Sequence, residues 1–264
     1  MRDFPHSVVL QQISSRQPGI LVWLLLLFVP EWLPHVITQG FVLWPQLGNF
    51  VAYHPTLYLL SFFAVQTGFT CGAICFLIKR YTPAFWTPGA QSANRRLCSL
   101  TILIPLLMFQ SSKSLFALSH SLSFLRNLPD PNDYGQALTA LYQHIWGHAA
   151  YGPSLAGVVC YSMFVFISPV LEEMLFSGLM ANMLAKRFGI TVAILCAPVC
   201  FSLSHMVQFG IGPHLIVLFF AGVTYTIMRF YSGNLLMPII GHMAIQFLIS
   251  VPKWVVAVMY FKQV

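Results

Sequence analysis

Ser168-Pro169-Val170-Leu171-Glu172-Glu173-Met174-Leu175-Phe176-Ser177-Gly178 sets two adjacent carboxylates inside a long apolar run. A charged side chain at bilayer depth costs at least about 2.5–3.5 kcal/mol on insertion scales, so such residues face the protein interior or a water-filled cavity and mark function by default. The chain holds only six acidic residues. Asp3 lies near the N-terminus, Glu31 near the end of a first apolar run, and Asp130 and Asp133 in a polar loop. Glu172 and Glu173 are therefore the only acids deep in an apolar segment. Neighbours on a helix point about 100° apart, so the two cannot do the same job at one spot. One can face a reaction site while the other faces a supporting partner. A solvated helix face would need polar flanks, and these flanks are apolar.

The surrounding composition agrees with a lipid environment. The 264 residues are 58% hydrophobic and only 7% charged, against about 25% charged in a soluble domain. Long continuous apolar runs exclude a β-barrel, whose strands alternate in segments of about ten residues. The class is all-α, a polytopic membrane bundle. The net charge of +7 suits loop ends against anionic lipid, and no basic stripe with interleaved aromatics points to nucleic acid. Cys71/Cys75 and Cys196/Cys200 are each four apart inside apolar runs and read as small core residues rather than a disulfide framework or zinc knuckle. The first apolar run starts late, near Ile20, with no small-residue cleavage site after it, so no cleavable signal peptide is expected.

About eight spans are expected at roughly 20 residues per crossing. The first covers 20–43, interrupted by Pro30, Glu31 and Pro34; the second 56–78; the third 98–118. A polar loop at 119–153 carries the turn signal Pro129-Asp130-Pro131-Asn132-Asp133 and a short amphipathic piece at 137–146. The fourth span, 155–186, is long and holds Pro169, where a kink is expected. The fifth covers 190–208, the sixth 214–231, the seventh 235–250 and a short eighth 252–261. Asn234, after Ser232-Gly233, is a good helix cap. The division is residues 1–153, with about three spans and the loop, and 154–264, with about five. An even count puts both termini on one side. The basic loop with Lys79, Arg80, Arg95 and Arg96 places that side in the cytoplasm of a cell inner membrane.

His205 on the fifth span and His242 on the seventh are the polar residues able to meet the glutamates. At 1.5 Å per residue Glu172 lies about 21 Å from Lys186, and His205 about 22 Å from Ile190, so their depths match. His242 is only about 12 Å from Asn234 and matches only if the 232–234 turn sits inside the membrane.

Glu172-Glu173 with Phe176 and Gly178, then Phe201-x-x-x-His205, then Ser232-Gly233-Asn234-Leu235 through Pro238 to His242-x-x-x-Gln246 resemble the pattern of the CPBP family. That family groups the CAAX prenyl endopeptidases with bacteriocin-processing and immunity proteins. Its motifs are Glu-Glu-x-x-x-Arg, Phe-x-x-x-His and His-x-x-x-Asn. The resemblance covers roughly 165–250. Two positions depart from it: Ser177 stands where the family has Arg, and Gln246 where it usually has Asn. Ser177 offers Glu173 only a hydroxyl, so either Glu173 is protonated or another cation reaches it, Arg229 being the candidate.

The resemblance implies a glutamate-type intramembrane endopeptidase. Glu172 would deprotonate a water, His205 would bind or polarise that water, His242 and Gln246 would donate to the oxyanion, and Glu173 would hold the site in shape. No cofactor is then required. A zinc site built from two histidines and one glutamate is the alternative, as is a non-catalytic immunity or peptide-binding protein. A proton-coupled carrier is disfavoured, because no two halves of the chain mirror each other. The expected partners are the bilayer and a membrane-anchored protein or peptide substrate.

Overall fold

The computed structural model describes residues 55–81, 131–146, 155–206 and 210–262, with isolated positions at 32, 33, 36, 104 and between 114 and 127. The expected first span at 20–43, third span at 98–118 and basic loop beyond residue 81 lie outside the described residues apart from those positions. Among the described residues every regular element is helical. They are α1 (Pro55–Tyr81), α2 (Pro131–Trp146), α3 (Leu155–Glu173), a π-helix (Met174–Met180), α4 (Ala181–Phe188), α5 (Ile190–Ser204), α6 (His214–Ser232) and α7 (Leu236–Phe261). Leu155–Phe188, His214–Ser232 and Leu236–Phe261 are long and apolar enough to cross a membrane, while Ala64–Leu77 and Ile190–Ser204 are shorter apolar helices. The protein is a helical membrane protein.

The loop's turn signal becomes a helix start. Pro131 opens α2 and Asp133 sits in its first turn, where a missing N–H costs nothing and a carboxylate meets the positive helix end. Pro169 lies inside α3, which runs on as α-helix to Glu173. The departure from α-helical geometry comes after the glutamates, as the seven-residue π-helix. The expected seventh and eighth spans are one helix, because α7 continues through Pro252. Proline removes one backbone hydrogen bond, and neighbouring helices offset that loss at membrane depth. Here the Ser250 hydroxyl meets Tyr161 Oη at 3.0 Å and Trp254 Nε1 donates to Ser162 Oγ at 3.0 Å, tying both sides of Pro252 to α3. The even span count, and the shared side of the termini drawn from it, rested on a break there.

Three packed clusters position the site. Ile74 and Leu77 of α1, Leu175, Phe176 and Leu179 of the π-helix, and Ala197 and Phe201 of α5 form the first. Tyr161 and Val165 of α3 pack on Val256 and Ala257 of α7, with Leu138 of α2. Tyr225 and Met228 of α6 pack on Ile245 of α7. Lipid is as apolar as these side chains, so close van der Waals contact between helices carries the association. Gly222 marks a close approach of α6 to α5: a Cβ there would lie 3.1 Å from both Phe201 Cδ1 and Pro198 Cβ.

The turn from α6 to α7 is closed by Gly233 at φ 70°, whose N–H bonds the Arg229 carbonyl at 3.0 Å. This is a left-handed cap that favours glycine. Asn234 Oδ1 accepts from the Met237 N–H at 3.2 Å, the capping role its side chain suggested. Ser232 is buried at 0% exposure, while Gly233 and Asn234 are half-buried.

Candidate active site

The site forms where α3 passes into the π-helix. Glu172 and Glu173 are 6% and 1% exposed, and the helix step between them sends their carboxylates to different partners. Glu173 is engaged at both oxygens. Ser177 Oγ, one turn on, donates to Oε2, and His242 Nδ1 donates to Oε1 at 2.8 Å. Glu172 accepts a hydrogen bond from Ser168 Oγ at Oε1. Its Oε2 is buried and has no hydrogen-bond partner among the described residues. That oxygen lies 3.6 Å from His205 Nε2 and 3.9 Å from His242 Nε2.

Both imidazoles are held from behind. His205 follows the last residue of α5, and its Nδ1 lies 2.9 Å from the Phe201 carbonyl. A carbonyl only accepts, so Nδ1 carries a proton, and it is in the neutral tautomer that Nε2 presents a lone pair to Glu172. Trp32 of the N-terminal region donates through Nε1 to the Ser204 carbonyl at 3.1 Å, anchoring the end of α5 beside His205. His242, 4% exposed, lies between Glu173 and the Tyr225 ring, which stacks on it with centroids 4.7 Å apart and planes at 16°. Phe201 presents its ring to His205 at 4.7 Å and 63° and to His242 at 5.9 Å and 83°. Phe176 closes the group edge-on to Phe201 at 5.4 Å. Apolar rings around ionisable groups exclude bulk water and strengthen every electrostatic interaction among them.

Glu172, Glu173, His205 and His242 therefore meet from three sequence-distant helices. Gln246 sits one turn beyond His242 on α7, half-buried, with no hydrogen bond to the described residues. Arg229 does not reach Glu173. It is buried on α6, its Nε has no partner among the described residues, and the group that meets Glu173 is the His242 imidazole. Among the described residues no set of three His, Cys, Asp or Glu side chains is arranged to hold a metal ion. Sequence reasoning missed Ser168 and Tyr225. Ser168 stands four residues before Glu172, the spacing of one helix face, and that signal was available. Nothing local marks Tyr225, which reaches His242 only through helix packing.

A cavity of about 440 Å³ lies between α1 and α3, with Glu172 among its lining residues. Its walls are mostly apolar, with Thr67 and Thr70 of α1 and Ser168 of α3 among the lining residues.

Residues 153–248 match the family model for the type II CAAX prenyl endopeptidase, Rce1-like, a domain of the CPBP intramembrane proteases. The matched stretch contains every polar group of the site on α3, α5 and α7. No curated protein and no solved structure matches the chain.

Proposed function

We propose that the protein is an intramembrane endopeptidase of glutamate type, hydrolysing a peptide bond near the terminus of a membrane-associated protein or peptide. One observation carries this reading: Glu172 Oε2, buried, stands 3.6 Å from His205 Nε2, with the far side of each group already engaged. The gap is too long for a direct hydrogen bond, and both groups lie within reach of one water molecule placed beside them that donates a proton to each. The Rce1-like match at 153–248 supports a peptidase independently.

In the reaction, Glu172 takes a proton from the water as the water oxygen attacks the scissile carbonyl carbon. His205 fixes the water's orientation. The carbonyl oxygen becomes an oxyanion beside His242 Nε2, which donates to it while Glu173 compensates positive charge on the ring. Gln246 supplies an amide N–H to the same oxygen. A donor of this kind is worth about 2.7–4 kcal/mol in the transition state. Glu172 returns the proton to the departing nitrogen as the C–N bond breaks, and the water's second proton stays on the new carboxyl group, leaving a carboxylic acid and an amine that then ionise in water. Glu173 touches no reacting atom and acts by positioning His242. No step requires a metal.

The reading is tested by comparing new protein termini in cells carrying wild type, Glu172→Gln or His205→Ala. A class of termini present only with wild type is expected. Identical termini in all three, with a phenotype that still needs the protein, would replace catalysis with peptide binding.

A further inference from the structure

We infer that the cavity between α1 and α3 is a subsite for an extended apolar stretch of the peptide substrate, and that Gly68 sets the size of the side chain it admits. This rests on the endopeptidase reading, since Glu172 lines the cavity. Its volume of about 440 Å³ falls in the range of ligand pockets, roughly 300–1,000 Å³. Met163, Ile167 and Leu171 of α3 give it an apolar wall.

The polar atoms identify the occupant. Thr70 Oγ1 donates its proton to the Gln66 carbonyl, and Ser168 Oγ donates its proton to Glu172. Each hydroxyl has one proton and two lone pairs, so both line the cavity as acceptors. Glu172 is an acceptor as well. Gln66 and Thr67 of α1 also line the space and can both donate and accept, so an apolar space edged by such groups complements a ligand with backbone N–H and C=O groups and apolar side chains. An extended peptide has one N–H per residue and must bond it when it leaves water. A hydrocarbon chain has none and gains nothing from these hydroxyls.

Gly68 lies on the α1 side of the same cavity, and a Cβ added there meets no atom of the described residues within 4 Å. Glycine weakens a helix interior relative to alanine, and no atom of the described residues requires it here. Its effect is open space beside the path to Glu172. A larger side chain at 68 would project into that space without displacing the protein.

The test uses the full-length Glu172→Gln protein in lipid nanodiscs and a short Leu/Ala peptide carrying one benzoylphenylalanine. Illumination should attach the peptide to Met163, Ile167 or their neighbours, and Gly68→Leu in the same background should abolish the attachment. In the active protein, Gly68→Leu should lower kcat/KM at least about tenfold for a substrate with Phe beside the scissile bond, the scale of steric discrimination in apolar pockets. A substrate with Ala at that position should be cleaved nearly as before. Thermal unfolding of Gly68→Leu should match or exceed wild type. If that variant does not fold, Met163→Trp narrows the cavity from the opposite wall and should give the same discrimination. Labelling unaffected by both variants overturns the proposal. So does labelling displaced by excess free isoprenoid alcohol or fatty acid as well as by unlabelled peptide, which makes hydrocarbon the occupant. Cleavage that persists without labelling of α1 or α3 removes the subsite and leaves the protease. Labelling without any Glu172-dependent termini in cells removes the protease and leaves the peptide site.

Discussion

Glu172 and Glu173 are chemically identical neighbours whose environments separate them. Glu173 has both oxygens bonded, to Ser177 and His242, while Glu172 keeps one buried oxygen facing His205. Glu172→Gln should therefore lower kcat by about 10²–10⁴, the usual contribution of a general base, with an unchanged melting temperature. Ser177→Ala removes one bond to Glu173 and should destabilise the protein by about 0.6–1.7 kcal/mol, the scale measured for polar contacts inside membranes. Unfolding in mixed detergent would read that loss. Tyr225 acts on His242 through ring stacking, worth about 0.5–1.5 kcal/mol beyond its buried area. Tyr225→Phe keeps the ring and should retain kcat/KM within about twofold. Tyr225→Leu should cost up to about tenfold. Equal losses in the two variants would instead give the role to the hydroxyl.

The elements place these residues by two local devices. The π-helix begins directly after Glu173, and its wider turn resets the facing of residues 174–180 relative to the glutamates. π-Helical turns inside α-helices are frequent at functional sites. The second device is the close packing of α6 on α5 at Gly222, which sets Phe201 and so His205 against Glu172. Gly222→Val would push α5 away from α6 and move His205. Activity should fall more than about tenfold while the protein still folds, which paired measurements of kcat/KM and circular dichroism would show. Unchanged activity would mean that α5 is held in place by its other contacts.

At the scale of the molecule, the matched segment does not stand alone. Ile74 and Leu77 of α1 enter the core around the π-helix, α1 forms one wall of the cavity at Glu172, and Trp32 bonds the end of α5. Substrate choice in this protein is thus expected to depend on residues before 153. Its chemistry is expected to need no metal: dialysis of purified protein against a chelator should leave kcat unchanged. Loss of activity on chelation, restored by zinc, would replace the glutamate mechanism with a metal-centred one on the same side chains.

The sequence alone determined the all-helical membrane class, because apolar runs of this length with so few charges have no other stable environment. It also set Glu172 and Glu173 apart as the only acids deep in an apolar segment, where burial is costly. The partnership with His205 followed from matched depths along two helices, and the Asn234 cap from local backbone chemistry. Other features depended on three-dimensional packing. His242 reaches Glu173 through the packing of α7 on α3, which no local pattern dictates. α7 continues through Pro252 because Tyr161 and Ser162 of α3 bond Ser250 and Trp254 on either side of it. Tyr225 stacks on His242, and Arg229 stays away from Glu173, because helix rotation in lipid is set by neighbouring helices. Periodicity and spacing describe one helix at a time, whereas the site is a relation among three.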